Sequence, residues 1–350
     1  MIALSPHPQI DDTIHEALAR MRCRRGALGE AFDALIDASD RAARGGKRFR
    51  PALVVAAFES LGGDLGAAPG VFPVAAAFEL LHTAFVVHDD VIDHDTVRRG
   101  IPNVAGEFRR RAEEQGADAA GAALLGDAAA ILAGDLLLHE AFRLIALAPV
   151  DLTARVRLME LLDEAMYVSA AGELADVENS VVDDAPHHAV LDAAYNKTAV
   201  YSFSAPLCAG AALAGASPKV TGLLERAGGQ LGLAFQFVDD LIGAFGTDDQ
   251  AGRASGGDLR EGKRTPLVSL ARESATWAQV NDAIAVAHTG PIAVQEAQRI
   301  LEASGARAQM RALVDGALAE VRGVSADPAL PASAGSLLRA LADGVESRIP

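Results

Sequence analysis

Residues 88–100 read HDDVIDHDTVRRG, a stretch that collects carboxylate and imidazole side chains ahead of two arginines. If the apolar run before it is a helix, Asp89 and Asp93 lie four residues apart on one face, where like charges repel. Acids at the end of a buried helix need a cation, and hard oxygen ligands suit Mg²⁺ better than zinc. The stretch therefore predicts a magnesium site at Asp89, Asp90 and Asp93, with a solvated acidic helix end as the alternative.

The two arginines, Arg98 and Arg99, have a role if the metal ions hold a diphosphate. Guanidinium groups would then neutralise the phosphate charge that the metal leaves. The acids and the bases would both serve one polyanionic ligand, through metal in the first case and directly in the second.

A second basic cluster and a second acidic cluster strengthen this hypothesis. Residues 45–51 read GGKRFRP, which combines glycine with base like an anion site but lacks the Walker spacing. Residues 235–240 read FQFVDD and place another pair of acids at the end of an apolar run. Two such helix ends could face each other and clamp one metal-bound diphosphate.

A different metal chemistry is left open by the pairs His88-Asp89 and His94-Asp95. Helical phosphohydrolases of the HD type hold metals with His-Asp pairs, but they need further histidine ligands elsewhere in the chain. None of the remaining candidates forms a second clear pair with aspartate: His82, His139, His187 and His188.

The elements that position these residues are predicted to be helices. Half of the 350 residues are hydrophobic, aromatics make up only 5%, and no strand-like runs recur, which favours helices packed through small residues. Apolar spacing predicts long helices over about 71–93, 120–148, 151–180, 187–215 and 218–246, and a polar surface connection over 100–121. We expect one all-α domain over residues 1–350, with a core at about 10–345, and a functional loop at 245–266.

Charge and cysteine usage restrict partners and location. The formal net charge of −16 makes nucleic acid a poor partner, so an anionic substrate must meet local base or metal. The uncharged run 198–218 is long enough for a bilayer, but it is rich in Ala, Gly and Ser and contains a proline. The first 25 residues lack an apolar core of signal length, and the two cysteines form no motif. We expect a cytoplasmic protein with no stable membrane insertion.

The motifs, taken together and in this order, resemble the trans-type polyprenyl diphosphate synthases over nearly the whole chain. They are GGKRFRP, DDVID followed by RRG, FQFVDD and GDLREGKRTP. The resemblance implies a bundle of long helices around a central deep pocket, usually in a homodimer. It also implies the condensation of isopentenyl diphosphate with an allylic diphosphate (dimethylallyl, geranyl or farnesyl), with several Mg²⁺ ions bridging carboxylates and diphosphate.

The same resemblance implies roles for individual residues. Magnesium on the allylic diphosphate would be bound by Asp89, Asp90 and Asp93, and from the opposite wall by Asp239 and Asp240. Arg98 would also touch the allylic diphosphate. The isopentenyl diphosphate site would consist of Lys47, Arg50, His82 and Arg99. The leaving diphosphate would be surrounded by the catalytic Lys197 and by Thr198, Gln236 and Lys263, with Phe235 as a further substrate-binding residue.

One departure from the family pattern lies in the second acidic motif, which reads DDLIG instead of DDxxD. Gly243 removes one metal ligand, and glycine within a helix costs about 1 kcal/mol relative to alanine. Asp248, Asp249 or Asp258 could compensate, or the first two acids could suffice.

Product length in this family depends on the pocket below the first acidic motif, which here involves Leu81, Ala84 and Phe85. A bulky Phe85 beside a small Ala84 suggests an intermediate length, geranylgeranyl diphosphate, with farnesyl diphosphate as the alternative. Phe85 could also be ordinary core packing. Two further alternatives remain: a class I terpene cyclase, and a non-catalytic subunit of a heteromeric synthase, which Gly243 makes conceivable.

Overall fold

The computed structural model describes residues 4–5, 7–23, 28–182, 185–251 and 255–350. Within this part of the chain the regular structure is helical except for one two-stranded hairpin, which confirms the prediction of an all-α fold. The chain divides into two compact units. We call Leu4–Leu162 with Ala212–Gly215 the amino-terminal unit, and Asp163–Ala211 with Ala216–Pro350 the carboxy-terminal unit. The single domain over residues 1–350 stays a prediction.

The first seven helices and the hairpin follow in chain order. They are α1 (Pro8–Arg22), α2 (Glu30–Ala43), α3 (Phe49–Ser60), α4 (Val71–Ile92), β1 (Val97–Arg98), β2 (Ile101–Pro102), α5 (Val104–Glu114), α6 (Ala119–Ala146) and α7 (Leu152–Val181). The predicted helices near 71–93, 120–148 and 151–180 correspond to α4, α6 and α7. The predicted polar connection over 100–121 is wrong, because α5 forms there with the side chain of Asn103 accepting from the backbone N–H of Gly106.

Helix α4 is the core of the amino-terminal unit and packs against α6, α3 and α1. Its residues from Val74 to Phe78 are buried all round, and three consecutive alanines let the neighbouring helices approach closely. A helix fixed on every side holds its last turn in place, and that turn carries Asp89 and Asp90.

The hairpin after α4 positions the two arginines. Val97 pairs with Pro102 and Arg98 with Ile101, so Arg99 and Gly100 form a two-residue turn. Both have positive φ, 54° and 78°, as a type I′ turn requires. A left-handed arginine is strained, which directs attention to Arg99 as a candidate functional residue.

The remaining elements belong mostly to the carboxy-terminal unit. They are α8 (His187–Ala194), a π-helical segment (Tyr195–Ser204), α9 (Ala205–Leu213), α10 (Pro218–Phe245), α11 (Asp248–Ala251), α12 (Gly257–Glu261), α13 (Pro266–Arg272), α14 (Trp277–Val286), a 3₁₀ turn (Ala287–Thr289), α15 (Pro291–Ala303), α16 (Ala306–Ser325) and α17 (Ala332–Glu346).

Helix α10 organises this unit, packing against the π-helical segment, α16 and α17. It begins where predicted, because Ser217 caps the N–H of Val220 and Pro218 occupies the first turn. The single helix predicted over 187–215 is instead interrupted by the ten-residue π-helical segment. Wide π turns are rare and occur often at functional sites, which directs attention to Lys197 and Thr198 within it.

Two helices within the described residues are long and apolar enough to cross a bilayer, α4 and α6. Two thirds of the apolar window of α4 (67%) is buried inside the protein, as expected of a core helix, whereas 39% of that of α6 is buried. The run 198–218 that the sequence singled out contains Phe203 and Leu207, which are 1% and 0% exposed.

Candidate active site

The first acidic motif lies at the carboxyl end of α4, in the amino-terminal unit. The helix ends at Ile92, and the backbone N–H of Asp93 donates to the carbonyl of Asp89 at 2.8 Å. The carboxyl end of a helix carries partial negative charge, which favours cations and disfavours acids. Three aspartates at this end therefore oppose local stability unless positive charge is supplied.

Arg98 supplies part of that charge. Its Nε and Nη2 both donate to Oδ1 of Asp90, at 2.8 and 2.5 Å, and its Nη2 lies 3.7 Å from Oδ2 of Asp89. Asp90 is only 3% exposed, and burial raises its pKa although the hydrogen bonds from Arg98 work against that shift. The expectation that the acids and bases act only on a shared ligand is thus incomplete, because here they also bind each other.

His82 lies beside a cluster of positively charged side chains near this motif. Burial lowers its pKa well below the ordinary value, and the charges of Arg50, Arg98 and Arg99 lower it further. The structure thus brings together Arg50, His82 and Arg99, three of the four residues predicted for the isopentenyl diphosphate site. A neutral imidazole among guanidiniums can donate or accept one hydrogen bond without adding charge.

The glycine-rich loop before α3 lies against this cluster. A side chain at Gly46 would come within 3.8 Å of Nη2 of Arg99, and the side chain of Lys47 is exposed. Arg48 has a positive φ of 48° and binds Asp11 and the buried Glu79 at 2.7 and 2.9 Å. Arg48 therefore anchors the loop, which leaves Lys47 and Arg50 as the predicted ligand-binding residues.

The second acidic motif lies near the carboxyl end of α10, in the carboxy-terminal unit. Asp240 is 5% exposed, and its Oδ1 accepts from Nε2 of Gln236 at 3.0 Å. Its Oδ2 is buried and meets no hydrogen-bond donor among the described residues. Burial raises the pKa of Asp240 well above its ordinary value, and the charges of Asp258, Asp239 and Asp176 raise it further. A cation bound beside this carboxyl group would offset both the burial and the nearby negative charges.

Arg348, near the end of the chain, pairs with this motif and was missed by the sequence analysis. Its Nη2 donates to Oδ1 of Asp239, and its guanidinium lies 4.1 Å from the ring centroid of Phe235. Its Nη1 is buried and has no acceptor among the described residues. No local pattern marks this arginine, because its partner is 109 residues away.

Lys197 is the third residue of the π-helical segment. Its Nζ donates to Glu173 and to Asp176, each at 3.0 Å. A Cβ at Gly172 would overlap the backbone of Lys197, at 2.8 Å from its Cα, so glycine lets α7 approach this segment closely. Glu173 and Asp176 were not predicted as site residues, although two acids three apart after a glycine on one helix face were a visible signal.

Lys263 differs from the other predicted phosphate ligands. Its Nζ pairs with Glu261 at 3.2 Å, and both side chains are about half exposed. It lines a cavity of about 680 Å³ together with several other basic residues and one tryptophan. These neighbours are Arg260, Arg264, Arg272, His288 and Trp277. The place of Lys263 at the leaving diphosphate stays a prediction.

The residues predicted to limit product length lie on α4. Phe85 and Leu81 precede Asp89 by one and two turns on the same face of the helix. Leu81 and Ala84 are fully buried, whereas Phe85 retains some exposure. Phe85 is therefore the best placed of the three to meet a chain extending from the motif.

The donor atoms suit Mg²⁺ and not the HD-type alternative. Within the described residues, no three His, Cys, Asp or Glu side chains come close enough to hold a metal ion by themselves. Mg²⁺ typically takes one or two carboxylates and completes its shell with water and substrate phosphate, which fits Asp239 and Asp240. His88 instead contacts the carbonyl oxygen of Ile131 at 3.2 Å and Asp135 at 3.6 Å.

Comparison with known proteins places these motifs in context. Residues 33–303 match the family model described as polyprenyl synthetase. The chain is 32% identical over 294 residues to a short chain isoprenyl diphosphate synthase of Methanothermobacter thermautotrophicus, covering 83% of this chain and 84% of that protein. It is 37% identical over 238 residues to a geranylgeranyl diphosphate synthase of Mycobacterium tuberculosis, covering 67% and 61%.

A solved structure agrees with the sequence comparison. The geranylgeranyl pyrophosphate synthase of Corynebacterium glutamicum, complexed with isoprenyl diphosphate and magnesium, superposes with a TM-score of 0.88 at 26% identity. The similarity covers 97% of each chain.

Proposed function

The chain belongs to the polyprenyl synthetase family and is a trans-prenyltransferase, and we propose that it condenses isopentenyl diphosphate with an allylic diphosphate to give geranylgeranyl diphosphate. The observation that carries this proposal is that each of two helix ends holds a buried acid in a motif that an arginine binds. Asp90 with Arg98 forms one such pair, and Asp240 lies beside Asp239, which Arg348 binds.

Magnesium ions are the cofactor of this proposal, and when bound they would stabilise the negative charge that develops on the departing diphosphate. The residues that would hold them are Asp89, Asp90, Asp93, Asp239 and Asp240. Of these, Asp90 has one oxygen engaged by Arg98, so Asp89 and Asp93 are the better placed for direct ligation.

Cationic and neutral polar side chains would bind the two diphosphates. Arg50, His82, Arg99 and the exposed Lys47 would hold isopentenyl diphosphate, and Arg98, Lys197, Thr198, Gln236 and Lys263 would act on the allylic diphosphate. Breaking the allylic C–O bond leaves a carbocation, which an apolar, water-excluding wall must protect. Attack by the alkene of isopentenyl diphosphate is followed by loss of a proton, for which the departing pyrophosphate is a sufficient base.

Farnesyl diphosphate is the second candidate product, and Phe85 is the observation that favours it. A partly exposed aromatic ring one turn below Asp89 would end chain growth early if it forms the pocket floor.

The test is a product assay. Purified protein, Mg²⁺ and labelled isopentenyl diphosphate are incubated with the C5, C10 or C15 allylic diphosphate, and chain length is read after dephosphorylation. A C20 product supports the proposal, whereas a C15 end point makes Phe85 the floor. Hydrocarbon from an allylic diphosphate alone would indicate a terpene cyclase, and activity only after mixing with a partner would indicate a non-catalytic subunit.

Assembly and location complete the proposal. Helix α6 exposes large apolar side chains at helical spacing, among them Leu124 (72% exposed), Ile131 (46%) and Leu132 (54%). We propose that this face joins two copies in a homodimer, which sedimentation velocity of the purified protein tests. Burial of the face would also account for the apolar character of α6 without a membrane, consistent with a cytoplasmic enzyme that binds no nucleic acid.

A further inference from the structure

Gly243 stands where the second acidic motif would have its third carboxylate, one helical turn after Asp239 on the same face of α10. The structure shows what occupies the adjoining space. A Cβ at position 243 would lie 2.6 Å from Cγ of Asp258 and would overlap its Oδ2. The Asp258 carboxylate therefore sits directly over Gly243, in the place that a side chain at this position would need.

Asp258 reaches this place from a different element. It belongs to the short helix α12, whose ends are set by the left-handed residues Gly256 and Gly262, and the helix packs against α10. Its side chain is 9% exposed. The carbonyl of Asp258 accepts from the backbone N–H of Lys263 at 3.0 Å, which fixes the backbone from which the carboxylate projects.

A second observation shows that this acidic group faces a cation site. Asp240 is only 5% exposed, and its Oδ2 meets no hydrogen-bond donor among the described residues. Asp258 lies close enough to this carboxyl group for its charge to act there, as does the charge of Asp239. A buried acceptor without a donor, close to further carboxylates, is stabilised when a cation binds beside it.

We propose that Asp258 replaces the missing third acid of the second motif and positions the cation that Asp239 and Asp240 hold, and that Gly243 is required because only glycine leaves room for it. This inference rests on the proposed function. Because no three such side chains among the described residues are close enough to hold a metal ion alone, Asp258 would act as a positioning residue behind the direct ligands.

The proposal resolves an ambiguity among three acids of the 245–266 loop. Asp248 and Asp249 are exposed, and Oδ1 of Asp248 is engaged by the backbone N–H of Ser255 at 2.7 Å. Neither has the relation to Gly243 that Asp258 has. Asp249→Asn therefore serves as the matched control for Asp258→Asn, since both remove one charge from the same loop and keep the side-chain shape.

The experiment measures pyrophosphate binding by calorimetry at a series of Mg²⁺ concentrations, with no turnover involved. We expect Asp258→Asn to raise the Mg²⁺ concentration needed for half-maximal pyrophosphate binding by about tenfold or more, the usual size for a group behind a metal ligand. Asp249→Asn should match the wild type. An Asp258→Asn protein with unchanged Mg²⁺ dependence overturns the proposal, while wild-type protein that binds no pyrophosphate with Mg²⁺ overturns the proposed function instead.

An exchange of the acid between the two positions gives an independent test. Gly243→Asp alone should impair binding, because its side chain overlaps Asp258. The double variant Gly243→Asp/Asp258→Ala should recover most of the Mg²⁺ dependence lost in Asp258→Ala, since the carboxylate returns by the other route. No recovery in a double variant that melts like the wild type contradicts the proposal. If Gly243→Asp variants do not fold, the Asp258→Asn result decides.

Discussion

The two acidic motifs are built in different ways. In the amino-terminal unit, Asp90 at the end of α4 binds Arg98, eight residues further along the chain and held by a tight hairpin. In the carboxy-terminal unit, Asp239 near the end of α10 binds Arg348, 109 residues away, and Asp258 from α12 fills the place of a third acid. The first motif is thus local in sequence, whereas the second is completed by distant elements.

The difference has a physical consequence for metal binding. Asp90 is buried and accepts two hydrogen bonds from Arg98 at one oxygen, so loss of the arginine would leave a buried carboxylate without its charged partner. Asp239 is 40% exposed and Arg348 is 21% exposed, so their pair is partly screened and more easily exchanged. We expect Arg98 to act mainly on stability and Arg348 mainly on ligand binding.

The largest expected effect comes from removing a metal ligand in either motif. Asp89→Ala or Asp239→Ala should lower kcat/KM by at least about a hundredfold, because several kcal/mol of transition-state stabilisation is lost. Incorporation of labelled isopentenyl diphosphate measures this, with the exposed Asp282→Ala as control. Unchanged turnover in both variants would refute the role of the two motifs.

A smaller effect should separate the two arginines. Arg98→Gln leaves the buried Asp90 without its charged partner and should lower the free energy of unfolding by about 1–3 kcal/mol. Arg348→Gln should change the free energy of unfolding by less than about 1 kcal/mol, because its acid partner Asp239 is 40% exposed whereas Asp90 is buried. Urea denaturation without metal measures both, and Arg98→Lys shows how much of the effect is charge alone. Equal losses in the two variants would contradict the distinction.

Replacement of Arg348 should change the affinity for metal and for pyrophosphate more than it changes stability. Because its guanidinium competes with a cation for Asp239, Arg348→Gln should bind Mn²⁺ at least as tightly as the wild type when diphosphate is absent. The same variant should bind pyrophosphate with Mg²⁺ more weakly by about tenfold, since it loses a charge-assisted hydrogen-bond donor. Weaker Mn²⁺ binding together with unchanged pyrophosphate binding would reverse this assignment.

Product length should change when Phe85, in the amino-terminal unit, is replaced. Phe85→Ala removes an aromatic ring on the face of Asp89 and should shift the product to a longer chain. Leu147→Ala, which removes an exposed apolar side chain just after α6, is the control and should leave chain length unchanged. Chromatography of the dephosphorylated products decides, and the same distribution after Phe85→Ala would remove this residue from the pocket floor.

The smallest effect concerns His82. Its pKa lies well below 6.5 in the folded protein because of burial and of Arg50, Arg98 and Arg99. As pH falls below about 6.5 the unfolded chain takes up the proton first, so stability should decrease with falling pH in this window. His82→Gln should flatten that part of the melting-temperature profile, whereas the exposed His139→Gln should not. A steeper profile in His82→Gln would contradict the sign.

The sequence predicted those features that depend on neighbouring residues. Helical periodicity located α4, α6, α7 and α10, and the DDVID and RRG motifs identified Asp90 and Arg98 before their contact was seen. Family membership followed from the order of four motifs. The hairpin, α5 and the π-helical segment were missed, because short turns and wide helical turns leave little periodic signal.

Residues that complete the second motif could not be predicted in the same way. Arg348 lies in a terminal stretch, SRIP, that carries no motif, and Asp258 was one of three equivalent acids until its position over Gly243 was known. Contacts between elements far apart in the chain are set by packing, which the local pattern does not encode.

The central claim is that each of the two acidic motifs is needed for Mg²⁺-dependent binding of an allylic diphosphate, and the most direct measurement is binding of an unreactive thiolo analogue of farnesyl diphosphate by calorimetry. The account predicts Mg²⁺-dependent binding to the wild type that is weakened at least tenfold in Asp89→Ala and again in Asp239→Ala. Binding that depends on Asp89 but is unchanged in Asp239→Ala would contradict it.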